Sequence, residues 1–173
     1  MKYFTPSLYG RMQAIVEDEV EAAHAEWERA VDRYERRLSK IRPTLPKPLR
    51  YLLEDLYLHD ANVLSLARNG DKFVIVLELE VPPKNLVVIT YTLAGKPVID
   101  FAALPPEHCT THPLWMYDEV NVSQKRLYSH EILFSNGWHV RLRFRAVEVV
   151  VAHRLQQPEA PVRSPRRSVA RSA

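Results

Sequence analysis

Residues 126–152 read RLYSHEILFSNGWHVRLRFRAVEVVVA, and they decide the fold because polar and apolar residues alternate on both sides of one turn. Asn136-Gly137 marks that turn as a β-hairpin. A three-residue loop, Ser135 to Gly137, gives chemically matched cross-strand pairs: Phe134 with Trp138, Ile132 with Val140, Tyr128 with Phe144, and Glu131 with Arg141. A two-residue loop would place Ile132 opposite Arg141 and so put charge on the apolar face. The sequence therefore predicts the three-residue loop with a left-handed Gly137.

This register assigns the two faces of the hairpin. The predicted solvent face is basic and consists of His139, Arg141, Arg143 and Arg145. The predicted core face, under a helix, consists of Trp138, Val140, Leu142, Phe144 and Ala146. His130 falls on the core face and Glu131 becomes a cross-strand partner. The basic face could bind phosphate or an acidic partner, although alternating cations more often only keep a sheet in solution.

The same alternation of apolar and polar residues begins near Tyr57 and continues to the end of the domain. Its segments are FVIVLELEV (73–81), LVVITYTL (86–93), PVIDF (97–101), WMYDEVNV (115–122) and the hairpin above. Short turns such as Asn69-Gly70, Pro82-Pro83 and Gly95-Lys96-Pro97 join them, and strands joined by short links are antiparallel neighbours. Residues 56–155 are predicted to form a six- to seven-stranded antiparallel β-meander.

Residues 1–55 are predicted to be helical. Apolar residues recur every three or four positions from Leu8 to Ile41, which indicates one amphipathic helix with Thr5 as its N-cap. A continuous helix over residues 6–41 would be about 54 Å long, more than a domain of this size can cover. Either Gly10 breaks the helix, which we favour, or the helix projects and packs on a second copy. After PTLPKP, the segment PLRYLLEDL predicts a short helix.

Together these patterns predict one α+β domain over residues 1–155, followed by a disordered basic tail over residues 156–173. The tail has four arginines and one glutamate, which accounts for the whole formal charge of +3, so the domain itself is neutral. Nucleic acid is therefore expected to make only weak contacts, with the tail. Since no apolar run could span a membrane, no secretory signal is visible and Cys109 is the single cysteine, a cytoplasmic protein is expected.

The segment LYLHDANVLSL (56–66) carries polar residues where the core should be. An Asn69-Gly70 turn would pair Leu66 with Phe73, and the same face would then include Asn62 and Asp60. Three explanations remain open: a β-bulge resets the phase, the two residues are buried and hydrogen-bonded, or they belong to a site.

Metal and cofactor signatures are weak, and no metal or cofactor is predicted. His59-Asp60 is similar to the His-Asp pair of metal-dependent phosphohydrolases, but those enzymes add further histidines and acids on helices. The segment HCTTH (108–112) offers soft ligands without an evident second contribution, so an exposed loop is favoured over a zinc site. The four glycines sit at turns or helix breaks, which argues against a phosphate-binding loop.

Four elements resemble a bacterial family of unknown function: MKYFTPSLYGRMQ at the start, LHDA (58–61), YDEV (117–120) and HEILFSNGW (130–138). The layout of LHDA followed by a sheet is also loosely similar to small immunity proteins that neutralise bacterial toxins. The resemblance implies one structural or binding neighbourhood, which together with Asn62 gives this candidate site: His59, Asp60, Asn62, Tyr117, Glu119, His130 and Glu131. No catalytic residue is assigned.

Three functions remain open at this point. The favoured one is a non-enzymatic module that binds a protein partner. The second is a metal-dependent hydrolase using His59, Asp60, Glu119 and His130. The third is a structural homodimer joined through the N-terminal helix, for which the heptad-like spacing of apolar residues is the argument.

Overall fold

The computed structural model describes residues 1–101 and 113–153, and it confirms an α+β fold with a long N-terminal helix and a seven-stranded antiparallel sheet. The helical elements are α1 (Pro6–Met12), α2 (Glu17–Ile41), a 3₁₀ turn (Arg42–Thr44) and α3 (Lys47–Glu54). The strands are β1 (Ala61–Asn69), β2 (Lys72–Glu78), β3 (Leu86–Leu93), β4 (Val98–Asp100), β5 (Leu114–Gln124), β6 (Leu127–Phe134) and β7 (His139–Ala152). Within these described ranges, no helix is long and apolar enough to cross a membrane. The predicted tail lies outside them.

The N-terminal helix is broken, but not at Gly10. Thr5 caps α1 as predicted, accepting a hydrogen bond from the Leu8 N–H (3.1 Å), and Gly10 lies inside α1. The chain leaves the helix after Met12 and starts again at Glu17. Residues 17–19 are all acidic, and acidic side chains stabilise the positive end of a helix dipole. The acidic run, rather than the glycine, therefore marks where α2 begins.

The sheet departs from a simple meander at three pairings: β1 with β5, β3 with β7, and β4 with β7 rather than with β3, its predicted neighbour. Its strand order is β3-β2-β1-β5-β6-β7-β4, and β3 also pairs with β7, so six strands close into a ring. Strand β7 makes this possible because it is long: residues 139–144 pair with β6, whereas residues 144–152 pair with β3. Between β1 and β5 only Ala61–Trp115 and Asn62–Leu114 are paired. The ring is therefore closed most weakly beside residues 59–62.

The predicted register of the β6–β7 hairpin is confirmed. Glu131 pairs with Arg141 and Ile132 with Val140, and Gly137 is left-handed with φ 81°. The core face was predicted wrongly at Ala146, which is exposed, while Val147 is buried. The pairing with β3 shifts by one residue between residues 144 and 146, and this bulge reverses the alternation beyond it.

A second bulge explains the polar residues of β1. The β1–β2 pairing shifts at Leu64, which is 50% exposed, while Val63 is buried. Leu66 pairs with Ile75 rather than with Phe73, so the predicted register of this turn was also wrong. The first of the three explanations is the correct one: a bulge resets the phase, and Asp60 and Asn62 do not occupy the core.

Two apolar clusters hold the fold together. The larger one fills the ring of strands and is covered by α3, with Leu49 and Leu52 fully buried. The smaller one lies between the helices and β5 and contains Tyr3, Phe4, Leu8, Ala23, Ala30 and Tyr34. The Tyr34 hydroxyl accepts a hydrogen bond from the Val120 N–H (2.8 Å), fixing α2 to β5. The core face of β7 therefore points into the ring, where the short helix α3 covers it rather than the long helix α2.

Candidate functional site

The seven candidate residues do not form one site; they divide among three places. His59, Asp60, Asn62 and Tyr117 lie near the surface where β1 meets β5. Glu119 and Glu131 are opposite each other on the outer side of β5 and β6, under the N-terminal segment. His130 points into the ring and is completely buried. The reason is the alternation of strand side chains, which sends His130 and Glu131 to opposite faces.

His59 and Asp60 form a surface pair with an unusual backbone. Asp60 has φ 64°, in the left-handed region, and its N–H donates to the Trp115 carbonyl (2.8 Å). Its carboxylate Oδ2 lies 2.8 Å from His59 Nδ1. The His59 ring contacts that of Tyr117, with centroids 5.2 Å apart. Such backbone conformations cluster at binding and catalytic sites, although aspartate tolerates them better than most residues.

Tyr117 occupies the centre of an aromatic cluster at this surface. Its ring centroid is 4.1 Å from that of Trp27 and 6.2 Å from that of Tyr9. Burial, followed by the nearby Tyr9, Asp60 and Tyr57, raises the pKa of the Tyr117 phenol. The hydroxyl is therefore a neutral hydrogen-bonding group at physiological pH, suited to binding rather than to nucleophilic chemistry.

A groove of about 310 Å³ lies between α2, α3 and β5, with Tyr117 and His59 in its lining. Its apolar lining includes Phe4, Val31, Leu38, Leu52, Leu53, Leu56, Leu58 and Trp115, and its polar lining includes Glu35, His59 and Asp118. The volume is at the lower end of the range for ligand pockets. Sequence patterns did not locate this groove, because its three walls come from distant parts of the chain.

Asp118 connects the groove to a buried polar network. One carboxylate oxygen accepts from Trp115 Nε1 (3.1 Å), and the other lies 2.9 Å from His130 Nε2. His130 Nδ1 in turn lies 2.8 Å from the Tyr91 hydroxyl. A neutral His130 that donates from Nε2 to Asp118 and accepts from Tyr91 satisfies every group. The predicted placement of His130 on the core face is confirmed, and both of its nitrogens are already engaged.

Glu119 holds the N-terminal segment. Its side chain is 1% exposed, and its oxygens accept the backbone N–H groups of Lys2 (2.8 Å), Tyr3 (2.6 Å) and Phe4 (2.8 Å). Glu119 was predicted to belong to the candidate neighbourhood, but not to bind the N-terminal segment. The sequence did contain a sign that this segment is held down, because aromatic residues such as Tyr3 and Phe4 are usually buried.

Glu131 forms a compact charge cluster beside Glu119. Arg141 Nε donates to its Oε2 (3.0 Å), which also accepts from the Met1 ammonium (2.5 Å). His139 Nε2 lies 3.1 Å from the same oxygen, at ion-pair distance but poorly aligned for a hydrogen bond. Burial acts to raise the pKa of Glu131, but His139, the ammonium and Arg141 outweigh it and hold that pKa well below its usual range. The predicted role of Glu131 as a cross-strand partner is thus confirmed.

Only part of the predicted basic face is exposed, and only part of it carries unpaired positive charge. Arg141, Arg143 and Arg145 are exposed on β7, but His139 is largely buried and Arg141 is paired with Glu131. Only Arg143 and Arg145 remain as exposed cations of that face without an ion pair to any residue described. His139 is the member that the structure removes from the predicted solvent face, because it packs towards Glu131.

No group of three or more His, Cys, Asp or Glu side chains among residues 1–101 and 113–153 is arranged to hold a metal ion. The segment HCTTH (108–112) lies outside those ranges. Of the four residues in the hydrolase hypothesis, only His59 and Asp60 are adjacent. Glu119 and His130 point to opposite faces of the sheet.

The chain matches no protein-family model, no curated protein and no solved structure. The resemblance to a bacterial family and to immunity proteins therefore stays a prediction. What remains for assigning a function is the chemistry of the groove and its surroundings.

Proposed function

We propose that the protein is a non-enzymatic binding module and that the groove between α2, α3 and β5 holds a segment of a partner protein. The observation that carries this proposal is the groove itself, an apolar trough of about 310 Å³ bordered by aromatic side chains. Tyrosine and tryptophan are enriched at protein interfaces because each offers a large apolar surface with one polar group. Tyr57, which is 60% exposed, extends this aromatic border onto the surface beside His59.

The charge of the groove indicates the chemistry of the partner. The carboxylates in its lining are Glu35 from α2 and Asp118 from β5, and the lining also includes His59, which is paired with Asp60. Hydrogen bonds from Trp115 and His130 hold the Asp118 carboxylate in place. A complementary segment would insert an apolar side chain and place a lysine or arginine beside it.

The arrangement favours binding over hydrolysis. A general base needs a nitrogen or oxygen that can reach a substrate. His130 is fully buried with both nitrogens engaged, and Glu119 already accepts three backbone N–H groups. His59 and Asp60 are only partly exposed, and they pair with each other.

The arrangement also favours a partner protein over a helix-mediated homodimer. Most of the apolar stripe that suggested a dimer packs within the chain itself: Ala23, Tyr34 and Ile41 of α2 are buried, and Val31 and Leu38 line the groove. The solvent side of α2 is mostly charged, and surface ion pairs contribute little to association. The groove offers an apolar surface that α2 alone does not.

A toxin is one class of partner, in keeping with the resemblance of the LHDA element to small immunity proteins. We also propose that the binding takes place in a bacterial cytoplasm, which agrees with a chain that has one cysteine.

Peptide display tests the proposal directly. The full chain would be immobilised and used to select from a random peptide library displayed on phage. We expect enrichment of peptides that combine a lysine or arginine with a nearby aromatic or aliphatic residue. Glu35 is exposed, so Glu35→Lys should leave the fold intact, and it should abolish the preference for basic peptides.

Glu148→Lys is the matched control, since it makes the same change of charge at an exposed position of β7. It should select the same peptides as the unchanged protein. The proposal fails if no peptide family is enriched, or if Glu35→Lys and Glu148→Lys select alike.

A further inference from the structure

The opposite side of α2 carries a concentration of positive charge that the groove does not use. Four cationic side chains border a depression of about 370 Å³ beside Tyr3: Arg33, Arg36, Arg37 and Lys40. Counted from Arg33, the other three lie three, four and seven positions further along, so all four share one side of the helix. Lys2 adds a fifth cation, with its Nζ 5.5 Å from the centre of the Tyr3 ring.

These cations are not neutralised by the part of the chain that the structure describes. None of the four helical side chains forms an ion pair or a side-chain hydrogen bond with a residue of the ranges 1–101 and 113–153. Asp32 lies one turn before Arg36 and Glu35 lies directly before it, and neither acid forms an ion pair with these four cations. Like charges three and four residues apart destabilise a helix, so this arrangement costs free energy in the absence of an anion.

The helix dipole explains only part of this cluster. Cations in the last turn of a helix are favoured by its negative end, and that effect decays within one turn. Lys40 lies in the last turn of α2, but Arg33 lies two turns before the end. The dipole therefore does not account for a cluster that extends sideways to Tyr3.

The floor of the depression is held in a fixed position. Glu119 accepts the Tyr3 N–H at 2.6 Å, and the Tyr3 ring packs against Tyr34 with centroids 5.5 Å apart. A rigid floor lowers the entropic cost of binding. Arginine side chains suit phosphate oxygens because the guanidinium can donate two parallel hydrogen bonds.

We propose that this depression binds a small, soluble ligand bearing two or more phosphate groups. The distance from Arg33 to Lys40 along the helix is about 10 Å, enough for a short polyphosphate. A long polyanion fits less well, because the preceding part of the same helix begins with Glu17, Asp18 and Glu19, which would repel it. This site is on the other flank of α2 from the groove, so the result for one site does not decide the proposal for the other.

Titration calorimetry with inorganic triphosphate tests the proposal. The full chain should bind the probe with one-to-one stoichiometry, and the affinity should fall as salt rises. Arg33→Gln combined with Arg37→Gln should weaken binding about tenfold or more, since each removes a charge-assisted contact. Thermal unfolding should show that this variant stays folded.

The matched control is Arg143→Gln combined with Arg145→Gln, which removes the same charge from the exposed side of β7. It should leave the affinity for triphosphate within about twofold, because neither arginine lines the depression and exposed charges outside a site are screened by salt. Equal loss in both double variants would show general electrostatic attraction and overturn the proposal, as would no binding. Tighter binding of a single-stranded oligonucleotide or of anionic vesicles at equal phosphate concentration would also overturn it.

Discussion

Replacing Glu119 by glutamine should cost the protein a large part of its stability, although the two side chains have the same shape. The carboxylate receives three backbone N–H groups in a buried position, and its Oε2 accepts the Lys2 N–H at 2.8 Å. In Glu119→Gln one oxygen remains for Tyr3 and Phe4, but an NH₂ group now faces a donor. A charge-assisted hydrogen bond contributes about 1.5–3 kcal/mol and an unpaired buried donor costs about 1–3 kcal/mol. We expect a loss of about 2–3 kcal/mol.

Urea unfolding and hydrogen exchange measure this loss. For a chain of this length, about 2–3 kcal/mol corresponds to a fall in Tm of roughly 5–10 °C. The amides of residues 2–4 should also exchange faster, because their acceptor is weakened. Glu148→Gln, at an exposed position of β7, is the control and should change stability by less than about 0.5 kcal/mol. If Glu119→Gln is as stable as this control and the three amides stay protected, the reasoning is refuted.

Three further predictions test other parts of the structure. Because the pKa of Glu131 is lowered, the contribution of Glu131 to stability is complete above the ordinary pKa of 4.5 and is lost as the pH falls below that value. The variant Glu131→Gln should therefore lose less stability than the unchanged protein when urea unfolding is compared at pH 5 and pH 3. Tyr91→Phe leaves His130 Nδ1 without a partner in the core and should cost about 1–3 kcal/mol, which chemical unfolding would detect. Leu64→Asn should be nearly neutral and Val63→Asn should cost more than about 2 kcal/mol, and the reverse order in thermal unfolding would contradict the bulge in β1.

The sequence was most informative where structure depends on neighbouring residues. The β6–β7 hairpin could be registered because its turn and its cross-strand pairs lie within a few residues of each other. The contact between Glu131 and Arg141 followed directly from that register. The buried position of His130 followed from the same alternation.

Features that depend on distant contacts were not predictable in the same way. The bulge at Leu64 was one of three alternatives, because only the actual pairing with β2 selects among them. The closure of β3 on β7 and of β1 on β5 joins segments that are far apart in sequence, and no local pattern specifies it. The groove depends on that closure, since β5 forms one of its walls.

Glu119 and Glu131 show how one local pairing supports both proposed sites. Two carboxylates directly opposite on neighbouring strands repel each other unless other groups compensate. The negative charge of Glu119 is compensated by the backbone N–H groups of residues 2–4. The charge of Glu131 is compensated by Arg141, His139 and the Met1 ammonium. The N-terminal segment is thereby fixed along the outer side of β5 and β6.

The fixed segment then contributes one aromatic residue to each flank of α2. Phe4 lines the groove, and Tyr3 forms the floor of the basic depression. Because both backbone N–H groups donate to the same carboxylate, Glu119→Gln should loosen both aromatic side chains together. Glu35→Lys changes only the groove, and the Arg33→Gln and Arg37→Gln pair changes only the depression. A protein in which Glu119→Gln weakened one binding event and left the other intact would show that the N-terminal segment supports only one of the two surfaces.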